Sequence, residues 1–422
     1  MLITLIRFTF LIFSVETILA GPGGWLMVFG IPIRKILFLL LLVLLTAYVL
    51  RLRQDIIRNN LVTWLLFLLF FAIWGFFVPS FYDRNLNLAF ADFSPLFGLC
   101  IIPPLAYIYQ SVSTWHQDKK FITISLNILA FLHVFIWVLG TISTDYGHSI
   151  NQLMRSVLEP GVNENDSLLY LGYTPSGTFR VHLGASVFLL LGLYFSLQKI
   201  QSSKLNLPTL LQLSLQILAI LTTQSRGFLL AITLGGFIFC IGKHVFPNKK
   251  SLIGIFLSIC GLFLITFILI PFYSPEFLSS IGLDRDGSDN VRVEQVVPML
   301  TTIAHHLFFG IGFGGGIEII RSELAPYAYE ISILALYMKL GFIGSVFALC
   351  LTIGLAIFLL KNETGRYSHK STLSLIYATL FGFVFATNSN PYLSSFFGML
   401  ILTILLIELR TFVLLPTSEN KK

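Results

Sequence analysis

Long apolar blocks alternate with short polar segments along this chain. Each block has roughly the 17 to 25 residues that a tilted helix needs to cross about 30 Å of hydrocarbon. The pattern therefore predicts an all-α fold, a polytopic transmembrane helical bundle of about twelve spans. The predicted spans are residues 3–20, 36–50, 61–79, 95–113, 121–141, 181–198, 208–223, 227–242, 252–272, 341–360, 371–387 and 392–409.

The first apolar block also resembles a signal peptide, because it ends in the small residues Ala20 and Gly21. Arg7 and Glu16 interrupt the block, however, and many more spans follow it. We therefore expect residues 1–20 to be retained as a transmembrane helix.

Basic residues concentrate in every second segment between the predicted spans. By the positive-inside rule, these segments and both chain termini are cytoplasmic. Arg34 and Lys35 fall on the opposite side, which weakens the prediction for the first pair of spans only. The residues that set the orientation are Arg51, Arg53, Arg58, Lys119, Lys120, Lys199, Lys204, Lys243, Lys249, Lys250, Lys361, Arg366, Lys370, Arg410, Lys421 and Lys422.

The opposite, outer face carries two long loops at residues 142–180 and 273–328. Long loops often hold function, so we divide the chain by them. Residues 1–200 contain the N-terminal spans and the first loop, and residues 201–422 contain the C-terminal spans and the second. The first loop is acidic and rich in turn-forming residues; its acids are Asp145, Glu159, Glu164 and Asp166.

The second loop is predicted to carry an amphipathic helix that lies on the outer surface. Ser288 or Asp289 can cap its start, and Pro298 should bend it. The apolar residues at helical spacing are Val293, Val296, Val297, Leu300, Ile303, Leu307 and Phe308. Residues 328–340 are too short to cross alone, so we expect a half-inserted segment with a break before Gly341.

Composition agrees with a membrane protein. Of 422 residues, 56% are hydrophobic and 11% are charged, whereas soluble proteins carry about 25% charged residues. The net charge of +7 is spread over the cytoplasmic segments and forms no basic groove with interleaved aromatics, which argues against nucleic-acid binding. The cysteines lie in apolar blocks without the spacing of a metal site: Cys100, Cys240, Cys260 and Cys350. We expect neither a metal nor a cofactor.

Candidate chemistry gathers on the outer face. Arg226 lies at an outer helix end, where it either binds an anion or simply reaches the headgroup layer. Arg285, Arg292 and His306 lie at or near the surface helix, where they form a binding face or a solvated one. Glu330 precedes an apolar run, and a partly desolvated carboxylate there suits a general base; its alternative is a favourable interaction with the helix dipole.

A glycine-rich run at residues 310–316 accompanies these residues. Such a run lets backbone amides approach a phosphate, but a dinucleotide fingerprint also needs a preceding strand and a cytoplasmic cofactor. The alternative is a tight turn that re-enters the membrane.

The order of these motifs resembles the O-antigen ligase and polymerase superfamily. The matching motifs, each short, are Ser225-Arg226-Gly227, Arg292, His306 to Gly314, Glu330, and Gly341-Phe342-Ile343-Gly344. In the ligases the last motif opens with His followed by Asn, Ser or Gln. Here the opening pair is Glu330-Ile331, and this difference favours a Wzy-type polysaccharide polymerase.

The resemblance implies an enzyme of lipopolysaccharide or capsule biosynthesis in the bacterial inner membrane. It would join repeat units carried on undecaprenyl diphosphate at the periplasmic face, without a metal or nucleotide sugar. Arg226 and Arg292 would bind the diphosphate, because arginine forks suit phosphate oxygens, and Glu330 would act as the base. Arg285 and His306 would orient sugar hydroxyls or the second phosphate. The implied partners are lipid-linked glycans, membrane lipids, a chain-length regulator and a flippase.

Three alternatives stay open. An O-antigen ligase would share the donor and transfer finished polysaccharide to lipid A core. A transporter or flippase would place ionisable groups near the midplane between repeated halves, and no clear repeat is visible here. A membrane scaffold would have no chemistry. The few ionisable residues in or near spans are Arg7, Glu16, His133, His182 and Lys339.

Overall fold

The structure is a computed structural model. It describes residues 1–20, 27–28, 31–51, 54–112, 114–158, 169–173, 178–202, 206–245, 288–320, 326–329, 331–360, 370–386 and 395–413.

Helices make up nearly all of the described chain. In chain order they are α1 (Leu2–Ala20), α2 (Ile33–Val49), α3 (Gln54–Phe70), α4 (Val78–Phe81), α5 (Leu86–Phe93), α6 (Gly98–Val112), α7 (Trp115–Ile142), α8 (Thr144–Leu158), α9 (Phe188–Ser202), α10 (Leu207–Thr222), α11 (Arg226–Val245), α12 (Ser288–His305), α13 (Ser332–Leu360), α14 (Lys370–Ala386) and α15 (Phe396–Val413). A π-helix, Phe71–Phe77, joins α3 to α4, and short 3-10 helices at Ser94–Phe97 and Gly184–Val187 precede α6 and α9.

Two short antiparallel hairpins complete the secondary structure of the described residues. Strands β1 (Met27–Val28) and β2 (Ile31–Pro32) form the first. In the second, β3 (Tyr170–Tyr173) pairs with β4 (Phe179–His182).

Eleven of the twelve predicted spans overlap described helices, and residues 252–272 lie outside the described residues. Within the described chain, five helical segments are long and apolar enough to cross a membrane: Leu2–Ala20, Val62–Phe81, Leu86–Val112, Trp115–Ile142 and Ser332–Thr352. Shorter apolar helices occupy Leu207–Thr222, Gly227–Cys240 and Thr372–Val384. The chain is thus an all-α protein with the helices of a membrane protein, while the number of crossings stays a prediction.

Two helix starts differ from the sequence-based boundaries. The segment predicted to begin at residue 95 already begins at Leu86, where the side chain of Asn85 caps the helix by accepting from Asn87 N at 2.9 Å. The segment predicted to begin at residue 181 starts as strand, because His182 pairs with Tyr170 in the hairpin. Apolar strand residues next to an apolar helix extend the hydrophobic block and hide the boundary.

The first outer loop contains more order than its turn-rich composition predicted. Helix α8 follows α7 almost directly, and Ile150 and Met154 pack against the main hydrophobic core. Leu153 and Val157 lie on the same apolar side of α8 but stay exposed. The helix is therefore amphipathic, with one face only partly covered by protein.

A buried polar network ties three helices together away from the outer loops. The carboxylate of Glu408 on α15 accepts from Lys119 Nζ at 2.8 Å, Gln198 Nε2 at 2.9 Å and Tyr194 Oη at 3.2 Å. The indole N–H of Trp115 also donates to it. Four donors satisfy this fully buried charge, so the network links α7, α9 and α15.

We predict that Glu408→Ala lowers the free energy of unfolding by about 3–5 kcal/mol, because it leaves the Lys119 ammonium without its anionic partner. Reversible unfolding in mixed detergent micelles would measure the change. The matched control is Glu318→Ala, which removes an exposed carboxylate and should change stability by less than about 0.5 kcal/mol. Equal effects of the two substitutions would contradict the role of the network.

Candidate functional site

Helix α13 breaks at Gly341, where φ is 61° and ψ is −169°. A break in a helix leaves carbonyl and N–H groups without their usual partners. The glycine-rich run supplies replacements on one side of the break: Ile311 N donates to Met338 O at 3.0 Å and Gly312 N donates to Lys339 O at 2.9 Å. The break expected from the sequence is thus present at Gly341.

The other side of the break is satisfied in the same way. Phe342 N donates to Leu307 O at 2.8 Å, and Ile343 N donates to Phe308 O at 2.9 Å. We call residues 306–317 together with residues 338–343 the glycine-loop assembly. Backbone hydrogen bonds run in both directions between the two segments of this assembly, as they do between paired strands.

Glycine is required where the two backbones touch. A Cβ on Gly341 would lie 2.3 Å from Gly310 N, and a Cβ on Gly310 would lie 2.4 Å from Lys339 O. Both residues also have φ between 60° and 70°, at 61° and 68°, which side chains disfavour. The run therefore serves close backbone packing, while its re-entry into the membrane stays a prediction.

Trp74, in the π-helix, holds the assembly from the side. Its indole N–H is shared between Phe309 O and Leu340 O, each at 3.0 Å, and its own carbonyl accepts from Phe313 N at 2.9 Å. π-Helices occur often at functional sites, because they turn a side chain out of the regular pattern.

A buried ion pair lies at the centre. Lys339 Nζ is 2.7 Å from Asp92 Oδ2, with side-chain exposures of 5% and 2%. Asp92 Oδ2 also accepts from Gly314 N at 2.9 Å, and Lys339 Nζ donates to Tyr327 O at 2.8 Å. The pair therefore connects α5, the glycine loop, the broken helix and the segment that leads to Glu330.

Tyr329 fixes that segment further. Ile317 N donates to its hydroxyl at 2.7 Å, and the Tyr329 side chain is fully enclosed. Tyr327 and Tyr329 thus anchor the residues just before Glu330, and Ile331 and α13 follow just after it.

The predicted amphipathic helix is present as α12, and its buried face matches the predicted one in part: Val296, Leu300 and Ile303 belong to the hydrophobic cluster beside the glycine run. Met299 and Gln295 are buried, whereas Val297 is 67% exposed. Gln295 Nε2 donates to Ile319 O at 3.4 Å, so this polar side chain lies on the buried face of α12. The helix rests its Gln295–Met299–Ile303 stripe on the glycine-loop assembly.

His306 follows α12 and stacks edge-on against Tyr82, with ring centroids 4.8 Å apart. Partial burial lowers the pKa of His306, and the neighbouring Arg84 and His305 lower it further. Three basic side chains therefore gather at this point.

The turn before Arg226 is held by the hairpin of the first outer loop. Arg180 Nε donates to Thr223 O at 2.8 Å, and Gln224 Nε2 donates to Phe179 O at 3.2 Å. Gln224 has a φ of 45°, which makes the turn sharp. Arg226 is the first residue of α11. These contacts involve the first loop, whereas those of His306 involve α4, α12 and the glycine-loop assembly.

The predicted site residues divide into three groups. Glu330 and Arg285 lie outside the described residues. Arg226 and Arg292 lie in helices α11 and α12, and the structure describes their backbone but not their side chains. His306 is described and belongs to the basic group beside Tyr82. The roles assigned to all five residues stay predictions.

The sequence interpretation missed Asp92, Tyr82 and Arg84, and it noted Lys339 only as an ionisable residue in or near a span. One signal was available: Asp92 is the single charged residue in the apolar segment 86–112, and a lone carboxylate in such a segment implies a partner. Nothing in the sequence pattern connected it to Lys339.

Comparison with known proteins leaves the family untested. No protein-family model matches the chain, and no curated protein matches it. The resemblance to the ligase and polymerase superfamily therefore rests on the quoted motifs.

We predict that Lys339→Met lowers the free energy of unfolding by about 3–5 kcal/mol, because Asp92 would keep a buried charge without a cation. The double variant Asp92→Asn with Lys339→Met should recover part of this loss, since the amide still accepts from Gly314 N. Unfolding of the wild type, both single variants and the double variant measures the coupling. Additive losses would contradict the ion pair.

We predict that Arg84→Ala raises the pKa of His306 towards the ordinary value for histidine, because it removes one of the positive charges that disfavour the imidazolium. NMR titration of histidine labelled at Cε1 would measure it, with a His306→Gln spectrum to assign the signal. Arg51→Ala is the control. It lies beyond the start of α3, about 40 Å from Arg84 along the helix, and should leave the titration unchanged. An unchanged pKa in Arg84→Ala would show that the two groups do not interact.

Proposed function

We propose that this chain is a polysaccharide polymerase of the bacterial inner membrane. It joins oligosaccharide repeat units carried on undecaprenyl diphosphate, of the O-antigen or capsule type, at the periplasmic face. In this proposal both termini are cytoplasmic, as the basic segments indicate. A flippase delivers the lipid-linked units and a chain-length regulator limits the product.

One observation supports the proposal most directly. Two of the motifs that carry the family resemblance are separate in sequence but meet in the glycine-loop assembly. The motif His306 to Gly314 and the motif Gly341 to Gly344 are joined by backbone hydrogen bonds. The residues flanking Glu330 belong to the same unit. A bundle of lipid-facing helices does not need such backbone hydrogen bonds between a glycine-rich segment and a broken helix.

The proposed chemistry is a glycosyl transfer. A hydroxyl group of the acceptor unit attacks the anomeric carbon of the donor, a new glycosidic bond forms, and the bond between that carbon and the diphosphate oxygen breaks. Glu330 takes the hydroxyl proton, a step for which a positioned base typically gives 10²- to 10⁴-fold. Arg226 and Arg292 stabilise the charge that the departing lipid diphosphate gains.

The fold suits such a reaction in one further respect. Asp92 and Lys339 hold the residues before Glu330 in place, because Lys339 pairs with Asp92 and donates to Tyr327 O. Rigid support keeps a base within reach of the proton it removes.

We predict that deletion of the gene leaves a single repeat unit on its anchor instead of a ladder of long chains. Complementation with Glu330→Gln or Arg292→Ala should fail to restore the ladder, because the base or a diphosphate ligand is missing. Gel separation of the surface polysaccharide, with immunoblots for protein level, measures this. The control is Arg51→Ala, which removes an exposed arginine at the far end of the bundle and should restore the ladder.

Other outcomes decide between the alternatives. Loss of all attached glycan, with long chains accumulating on the lipid carrier, would make the protein a ligase. Loss of lipid-linked units from the periplasmic face would make it a flippase. An unchanged ladder in the deletion strain would end both enzyme assignments.

A further inference from the structure

A second feature of the outer face concerns the turn between α4 and α5. The turn is sharp: Arg84 N donates to Pro79 O at 2.9 Å, and Asp83 has a φ of 51°. Tyr82 leaves the turn to meet the ring of His306. The end of α4 and the end of α12 therefore lie side by side.

Arg84 brings a permanent positive charge to this place. Its positive charge acts to lower the pKa of His306 and also that of the Tyr329 hydroxyl. It thus lies near both the basic group and the segment that leads to Glu330. Its side chain is exposed, and it forms no hydrogen bond or ion pair with the described residues, including the neighbouring Asp83.

An exposed apolar patch adjoins the basic group. Phe81 is 72% exposed and touches Tyr82, with ring centroids 5.2 Å apart. Phe308 is 62% exposed, and Phe77 and Leu307 are exposed beside them in sequence. We call these four residues the apolar patch. Phe77 and Phe81 lie in the segment Val62–Phe81, which is long and apolar enough to cross a membrane, and Leu307 and Phe308 follow α12.

The combination defines the chemistry of an occupant. A strong cation with adjacent histidines suits phosphate oxygens, and arginine binds them in a bidentate fork. An apolar patch directly beside these groups suits a hydrocarbon chain. A soluble anion would contact only the basic group, and an ordinary lipid tail would contact only the apolar patch. An amphiphile with a phosphate head contacts both.

We propose that Arg84, with His305 and His306, binds the diphosphate of a polyprenyl lipid whose chain lies against the apolar patch. This assignment rests on the proposed function, because it identifies the place where the lipid carrier enters the site. Arg84 then acts as a binding residue beside the segment leading to Glu330, in addition to the arginines that the motifs indicated.

The experiment measures binding, independently of glycan synthesis. Full-length protein in phosphatidylcholine nanodiscs is titrated with a fluorescent polyprenyl diphosphate. Wild type should bind it saturably, and Arg84→Ala should weaken the affinity about tenfold or more, because a charge-assisted contact is lost. Arg84→Lys should keep part of the affinity, and the control Arg51→Ala should keep all of it. Unchanged thermal unfolding of Arg84→Ala would show that the loss is local.

Three competitors identify the part of the ligand that is recognised. Inorganic diphosphate and the polyprenyl alcohol should each compete weakly, and phosphatidylglycerol in the nanodisc should not displace the ligand. Equal affinity of Arg84→Ala and wild type would overturn the inference. Full competition by the alcohol or by phosphatidylglycerol would also overturn it, because the protein would then bind lipids in general. Full competition by inorganic diphosphate would overturn it as well, because the site would then bind a free anion.

The outcome of the binding experiment can be distinguished from the outcome for the proposed function. A wild-type protein that binds the polyprenyl diphosphate through Arg84, from a gene whose deletion leaves every glycan unchanged, would keep the lipid site and end the polymerase assignment. A deletion that abolishes the ladder, with Arg84→Ala binding as tightly as wild type, would do the reverse.

Discussion

The buried pair of Lys339 and Asp92 is the interaction on which the glycine-loop assembly depends. A helix that breaks inside an apolar bundle exposes backbone groups that water cannot reach, and each must find a partner within the protein. The glycine run supplies those partners only if it is held against the break. Asp92 holds it through Gly314, while Lys339 holds the segment before Glu330 through Tyr327. Loss of either charge would leave the other buried without compensation.

A second polar network stands apart from the first. Glu408 gathers donors from α7 and α9, and nearby Asp118 pairs with Arg7 at 2.8 Å and accepts from Tyr109 Oη, also at 2.8 Å. Asp92 and Tyr109 lie near opposite ends of one helical segment, about 25 Å apart by helical rise. Membrane bundles gain little from hydrophobic burial between helices, since lipid is equally apolar, so satisfied polar contacts specify which helices meet. One network shapes the outer site, and the other joins the bundle at the end that the basic segments mark as cytoplasmic.

The glycine-loop assembly and its surroundings combine rigid and exposed parts. The glycine-loop assembly is closed by backbone hydrogen bonds and by Trp74, whereas Arg84 and the apolar patch face outward. This arrangement suits a reaction in which a lipid-borne donor arrives from the membrane and a polar acceptor arrives from the aqueous side. The proposed function needs both surfaces to meet near Glu330, and Tyr329, the residue before it, is already within electrostatic reach of Arg84.

The sequence by itself determined the class of protein and most of its helices, because block length and apolar content are local properties that the bilayer imposes directly. It also indicated the surface helix and the break at Gly341, which have local signals in periodicity and in glycine. Only the tertiary structure paired Lys339 with Asp92, brought Arg84 beside His306 and turned the first loop into a helix and a hairpin. Those features depend on contacts between residues remote in sequence, and side chains that meet across a bundle leave no periodic trace in the segments that carry them.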